Sequence, residues 1–177
     1  MSRTLKRIVC GVVAVACVIT PAAALGAAKQ DKVRARMTGG GHVLGTSLGK
    51  TVKITHGFEL HCRTATRPQR LQINWSGGNS FHLTQLEDSF CLEFEDIDQE
   101  NPEAPIDTYV GEGFGNLTVN GKRSVGYAEW TFVDGGEPGG GADTIELVIK
   151  DAAGNVVLTA DDALTKGNHQ AHRGTGS

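Results

Sequence analysis

The chain is poor in aromatic residues, poor in cysteine and short of basic charge, and it carries no stretch with a helical repeat of apolar residues. Aromatics make up 6% of it, and both tryptophans fall at inward positions of alternating runs. That placement leaves no exposed aromatic platform of the kind that stacks on sugars. No CxxC or HxxxH spacing occurs, which argues against a structural or catalytic zinc site. There is no G-x-S-x-G elbow for a nucleophilic serine. The lone "GEGFG" at 111–115 follows an extended tract with no helix after it, so it is not a nucleotide fingerprint. No internal repeat appears at a period of 20 to 50 residues.

What is present begins with an export signal. Arg3, Lys6 and Arg7 precede an apolar run from Ile8 to Thr20, and small residues follow to Ala28. This is the order of a secretory signal peptide over residues 1–28, with cleavage after Gly26 or Ala28. Pro21 and the alanine-glycine tail disfavour a transmembrane anchor, which needs about 20 continuous apolar residues. Lipidation at Cys17 is disfavoured as well, because the residues after it stay apolar. Removing the signal takes away three of the 17 Lys and Arg and none of the 20 Asp and Glu, so the exported chain carries a net charge of about −6. An acidic chain of this kind does not suit phosphate backbones, and nucleic acid is not an expected partner. No basic amphipathic helix marks the exported part for a membrane surface, and no transmembrane span is expected there.

Two cysteines, Cys62 and Cys91, remain after export. In an oxidising compartment two lone cysteines in one domain pair. The competing use of Cys62 with His56 or His61 in a metal site lacks the four ligands that zinc requires. A disulfide is therefore expected, contributing about 3.5 kcal/mol by the chain-entropy account.

Period-two alternation sets the fold class. In "TVKITHGFELHC", Val52, Ile54, His56, Phe58, Leu60 and Cys62 share one parity, and Lys53, Thr55, Glu59 and His61 share the other. One apolar and one polar face is the pattern of a half-buried strand. Gly57 within it suggests a bulge or a close backbone approach. The same logic points Leu71, Ile73, Trp75, Phe81 and Leu83 inward, then Ala128, Trp130 and Phe132, then Ile145, Leu147 and Ile149. "SGGN", "VNGK" around Asn120-Gly121 and "DAAGN" are turns, the second a two-residue hairpin signal. The expected fold is all-β, an antiparallel β-sandwich or jelly-roll of about eight strands with one disulfide. Its expected boundaries are a linker at 29–36, one domain at 37–172 and a tail at 173–177.

Candidate sites are few. Asp134 and Asp143 flank a glycine-rich turn, with Glu137 between them. Like charges facing across a hairpin mouth repel, and a Ca²⁺ ion bound by these three carboxylates would relieve that. The loop "LEFEDIDQENPEAP" offers Glu93, Glu95, Asp96, Asp98 and Glu100, read as a solvated charge run. His56 is expected to be a buried, hydrogen-bonded imidazole. His61 and His82 face outward and could approach across strands, while His169 and His172 fall on opposite faces. Asn74 and Asn116 begin glycosylation sequons. A glycan-acting hydrolase would draw on Asp107, Glu129 and Asp134, with Tyr127 nearby.

Several phrases together resemble an uncharacterised family of secreted bacterial all-β domains, found alone or C-terminal to choice-of-anchor extracellular modules. They are "MTGGGHV", "THGFELHC", "LQINW" with "SFHL", "APIDTYVGEGFG", "AEWTFVDGGEPG", "IKDAAGNVVL" and "GNHQAH", which span nearly all of the exported chain. The resemblance implies an extracellular accessory domain and agrees with the Cys62–Cys91 bridge. This chain departs from it at Gly140, Gly141 and Ala142, where side-chain oxygens are fewer. The "MTGGG" and "GNHQAH" ends look like edge segments that pair with each other. The expectation is a non-enzymatic exported module binding an extracellular or envelope ligand, a carbohydrate or a protein, with the glycan hydrolase as the alternative.

Overall fold

The "MTGGG" and "GNHQAH" segments lie side by side. In the computed structural model, which describes residues 35–62, 68–94, 97, 104–137 and 139–173, strand β1 (Ala35–Ser47) pairs antiparallel with β9 (Lys166–Arg173), from Ala35 opposite Arg173 to His42 opposite Lys166. The expected signal peptide at 1–28, Cys17 and the acidic loop residues Glu95, Asp96, Asp98 and Glu100 lie outside the described residues.

Between the two ends run β2 (Lys50–His61), β3 (Arg70–Trp75), β4 (Asn79–Leu92), β5 (Thr108–Val119), β6 (Lys122–Val133), β7 (Thr144–Asp151) and β8 (Val156–Ala163). Each pairs antiparallel with the next, β8 meets β1 at Thr159 and Thr46, and β1 pairs with β2 along its full length. The sheet thus returns to its own first strand. The molecule is a closed eight-strand β-barrel with β9 as an additional strand, and the expected sandwich or jelly-roll is incorrect. Inward and outward residues alternate identically in a sandwich and a barrel, so the sequence pattern could not separate them. Closure is decided by strand length and interior volume. β1, β2, β4, β5 and β6 have 12 to 14 residues, well above the five or six common in sheets, and long strands can coil around a common axis.

The expected inward faces hold, whereas His61, expected to face outward, is buried, with its Nε2 3.6 Å from Glu59 Oε1. Ile54, His56, Phe58, Leu60, Leu71, Ile73, Trp75, Phe81, Trp130, Phe132, Leu147 and Ile149 are all buried inside the barrel. The "GEGFG" tract explains how so narrow an interior holds tryptophan. On β5 the glycines at 111, 113 and 115 face inward while Val110, Glu112 and Phe114 face outward. A Cβ at Gly111 would stand 2.7 Å from Trp130 Cζ2, and one at Gly115 would stand 2.6 Å from Phe81 Cζ. Missing side chains on β5 make room for large ones on β6 and β4, as small barrels require.

Turn geometry sorts the two ends of the barrel. β1–β2, β3–β4, β5–β6 and β7–β8 are joined by tight turns at one end, where Asn120 and Gly121 have φ of 50° and 75°, as the two-residue hairpin signal requires. The strand ends that the longer connections join, at His61 and Arg70, Leu92 and Thr108, and Val133 and Thr144, gather at the other end. There β3 stops at Arg70 while β2 and β4 run on with no strand between them. Cys62 and Cys91 join across that gap, with Cα atoms 5.5 Å apart, which bears out the expected disulfide. Beside it, the side-chain amide of Gln69 accepts from His61 N at 2.7 Å and donates to His61 O at 3.1 Å. It takes the place of the next residue of β3.

Gly111→Ala tests the packing argument. The added methyl meets Trp130 with little room to move, and overpacking of this kind costs about 1–3 kcal/mol. A lower urea midpoint with an unchanged m-value is the expected result.

Candidate functional site

β9 has lost a neighbour that every other strand keeps. It continues the path of β8 along β1, but β7 has already turned away, so one edge of β9 faces the 134–143 loop. Successive residues of a strand send their N–H groups to opposite sides. Asn168 and Gln170 point toward β1, and His169 and Ala171 point at the loop. Their two N–H groups meet carboxylates: His169 N donates to Asp143 Oδ2 at 2.5 Å, and Ala171 N to Asp134 Oδ2 at 2.8 Å. The second oxygens accept from the loop itself, Asp143 Oδ1 from Gly135 N and Asp134 Oδ1 from Gly136 N.

The acids that frame the glycine turn therefore serve as strand substitutes. Their four carboxylate oxygens all accept backbone N–H bonds that would otherwise be orphaned in a buried place, at about 1–3 kcal/mol each. Glu137 lies apart from this set, exposed, and accepts from Asn168 Nδ2 at 2.7 Å. A cation seated on Asp134, Glu137 and Asp143 would compete with those bonds. Among the described residues no cluster of three or more His, Cys, Asp or Glu side chains is disposed to hold a metal ion.

Directly inside this clamp sits a histidine pair. His56 Nε2 and His169 Nε2 are 2.8 Å apart, and His169 Nδ1 is 3.0 Å from Val133 O. A carbonyl only accepts, so His169 Nδ1 carries the proton and its Nε2 is bare. His56 must then donate from Nε2, which leaves His56 Nδ1 as a buried acceptor with no partner. Phe58 and Phe132 enclose the pair, with Phe58 stacked on Phe132 at 4.3 Å between ring centres. Burial above all pushes His56 down to about 3, helped by the neighbouring His169, and burial likewise pushes His169 down to about 4. Both are neutral near pH 7. Asp143 moves the other way, up to about 6, because burial outweighs the two N–H bonds it accepts.

The remaining expected residues separate. Asp107 is buried at the foot of β5, where it accepts from Phe94 N and from the Thr108 hydroxyl, both at 2.5 Å. Burial raises its pKa. Its carbonyl accepts from Asp134 N at 2.8 Å, so Asp107 and Asp134 meet at one end of the barrel. Glu129 does not join them. It faces solvent on β6, opposite Glu112 and four ladder steps from the Thr108–Val133 pair, about 14 Å at strand rise. His61 and His82 are four residues along and two strands across from one another, so the suggested approach does not occur. His169 and His172 do fall on opposite faces, with His172 outward and 2.7 Å from Thr38 Oγ1. Gly57 marks no bulge: β2 pairs without interruption on both sides. Asn74 and Asn116 both lie on the outer face.

The outer wall of β4–β7 carries no sequence motif of its own. A groove of about 280 Å³ lies there, lined by Asp88, Glu112 and Glu129 with Phe90, Val110 and Val148. A second, more open depression of about 670 Å³ crosses β2–β4 at Gly57, Gln72, Asn74 and His82. The signal for the first was present in the alternation of "GEGFG" and "YAEWTFV", whose outward residues include Glu112 and Glu129. Two bulges in β4, at Leu83/Gln85 and Leu86/Asp88, hid its other wall.

Compared with family profiles, curated proteins and solved structures, the chain matches none. The class defined by its own geometry is a closed, side-chain-filled β-barrel with a carboxylate-clamped extra strand.

Two outcomes test this account. Asp134→Asn presents an amide N–H to one of two donors and is expected to lower the melting temperature at a cost of about 1–3 kcal/mol, whereas chelator should leave it unchanged. A chelator-induced drop would instead indicate a bound cation. For the histidines, a folded pKa below 6.5 means that the unfolded chain takes up protons first as pH falls. Their contribution is complete above pH 6.5 and declines toward pH 4 and 3, at up to about 1.4 kcal/mol per unit for each imidazole. Asp143 offsets part of this between pH 6 and 3.8, because there the folded state binds its proton. His56→Gln, which keeps a donor for His169, should make the stability-against-pH slope shallower between pH 6.5 and 4 by up to that one-proton amount. An unchanged slope would show the pair is not neutral and linked as assigned.

Proposed function

We propose that this protein is an exported, non-enzymatic β-barrel that acts as a binding or structural module in the cell envelope or extracellular space. One observation carries the reading: buried acids that could have done chemistry are engaged in holding backbone, while the concave surfaces open to a partner lie on the outer wall. Asp134 and Asp143 accept two N–H bonds each, and Asp107 accepts from Phe94 and Thr108. The barrel interior is occupied by Trp75, Phe81, Tyr109, Trp130 and Phe132, all buried, rather than kept as a ligand chamber. The basic-then-apolar leader at residues 1–28, the Cys62–Cys91 bridge and the likeness to secreted bacterial β-domains support an oxidising destination.

The purified, disulfide-bonded protein screened against glycans and envelope polymers should give saturable binding to at least one class, with every polymer recovered intact. Cleavage of any of them, abolished by Glu129→Gln or Asp107→Asn in protein that still melts cooperatively, would overturn this reading in favour of a hydrolase.

A further inference from the structure

Like charges stand in register across three adjacent strands of the outer wall. Asp88 on β4 is directly opposite Glu112 on β5, and Glu112 is directly opposite Glu129 on β6. Neighbouring strands are about 4.8 Å apart, and like charges placed opposite each other destabilise a sheet. Among the described residues a single ion pair reaches this row: Lys150 Nζ lies 2.5 Å from Glu129 Oε2. Asp88 and Glu112 receive no cation.

The next row along the same strands begins apolar, with Phe90 on β4 facing Val110 on β5, and ends polar, with Thr131 on β6 facing Glu146 on β7. Val148 on β7 closes the carboxylate row opposite Glu129. Phe90 is 44% exposed, among the large apolar side chains most open to solvent. The bulge at Leu86/Asp88 gives β4 an extra residue, and the pairing then places Asp88 against Glu112 and Phe90 against Val110. Bulges of this kind re-aim side chains at strand edges and binding surfaces. The result is a groove of about 280 Å³ in which Asp88 and Glu112 lie beside the apolar Phe90 and Val110, with Val148 and Glu146 on its β7 side.

That pairing of surfaces matches one kind of side chain. Lysine and arginine carry a long apolar stem and a charged head. The stem suits Phe90 and Val110, and the head suits Asp88 and Glu112 in the adjoining row, with the Phe90 ring available to a cation. We propose that the β4–β7 groove is the docking surface for a basic polypeptide segment of a protein partner, with one arginine or lysine side chain lying in it. The inference rests on the binding-module reading and names its partner class. A partner cation would also neutralise the repulsion within the row, so binding and stabilisation should go together.

The test uses labelled hexa-arginine and the disulfide-bonded protein at low ionic strength. Saturable one-to-one binding is expected, weakened at least tenfold by Glu112→Gln with Glu129→Gln. The control pair Glu59→Gln with Glu137→Gln removes the same charge outside the groove and should change affinity less than twofold. Phe90→Ala, which alters no charge, should weaken binding about fivefold. Melting temperatures of all variants check folding, and the Glu112→Gln protein should melt no lower than the parent. Equal losses from the two charge pairs would mean diffuse acidity and overturn the proposal. So would absence of binding, or displacement of the peptide by stoichiometric calcium, which would make the row an inorganic cation site. Failure with hexa-arginine alongside retention of an envelope polymer would sink this inference and leave the module reading standing.

Discussion

Every backbone N–H and C=O taken out of water must find a partner, and that requirement shapes this barrel more than any individual apolar contact. A perfectly cylindrical sheet would satisfy it with ladder bonds alone. This one cannot, because its strands differ in length and its eighth position is filled by a chain that leaves β7 to follow β1. Two openings result at the long-loop end. Side chains that imitate backbone close both. Gln69 supplies an amide to His61 where β3 falls short, and Asp134 and Asp143 supply oxygens to β9 where β7 turns away. The disulfide adds a covalent tie at the first opening. Exposed strand edges invite pairing with other chains, and here the edge of β9 is capped from within.

The same requirement accounts for the carboxylates and imidazoles that sit close together at this end of the barrel. His169 contributes its backbone N–H to Asp143 and its ring to His56 and Val133. It therefore links the edge clamp to the aromatic interior. Its ring is neutral because burial disfavours charge, and Asp143 is raised for the same reason. Groups with displaced pKa values often mark active sites. In this barrel the displacement accompanies fully engaged hydrogen-bonding atoms, with His56 Nδ1 as the exception. On the outer wall, by contrast, carboxylates of β4, β5 and β6 face one another beside the exposed Phe90.

Much of the fold was legible because alternation is a local property. Ile54, His56, Phe58, Trp75, Trp130, Phe132 and Leu147 each point where their parity places them, since successive side chains of a strand must face opposite sides. The Asn120-Gly121 turn was legible because positive φ at two consecutive positions restricts the residue types allowed. The bridge between Cys62 and Cys91 was legible through the expectation of export, which leaves these two cysteines to pair. The pairing of the two glycine-rich ends was legible from their resemblance to edge segments. The outer groove was only half legible: Glu112 and Glu129 follow the alternation of their strands, whereas two extra residues in β4 reset the register that brings Asp88 and Phe90 beside them.

The sequence by itself determined which residues are oily on which face and where the chain reverses, because each depends on neighbours a few residues away. Only the tertiary structure decided that the sheet closes into a barrel, that Asp134 and Asp143 hold strand β9, and that His56 reaches His169. Those depend on which strand lies beside which, over more than a hundred residues of separation in the last case. Two sheets stacked face to face would have satisfied the same alternation, and it is the glycines opposite Trp130 and Phe81 that give one rolled sheet room for its own core.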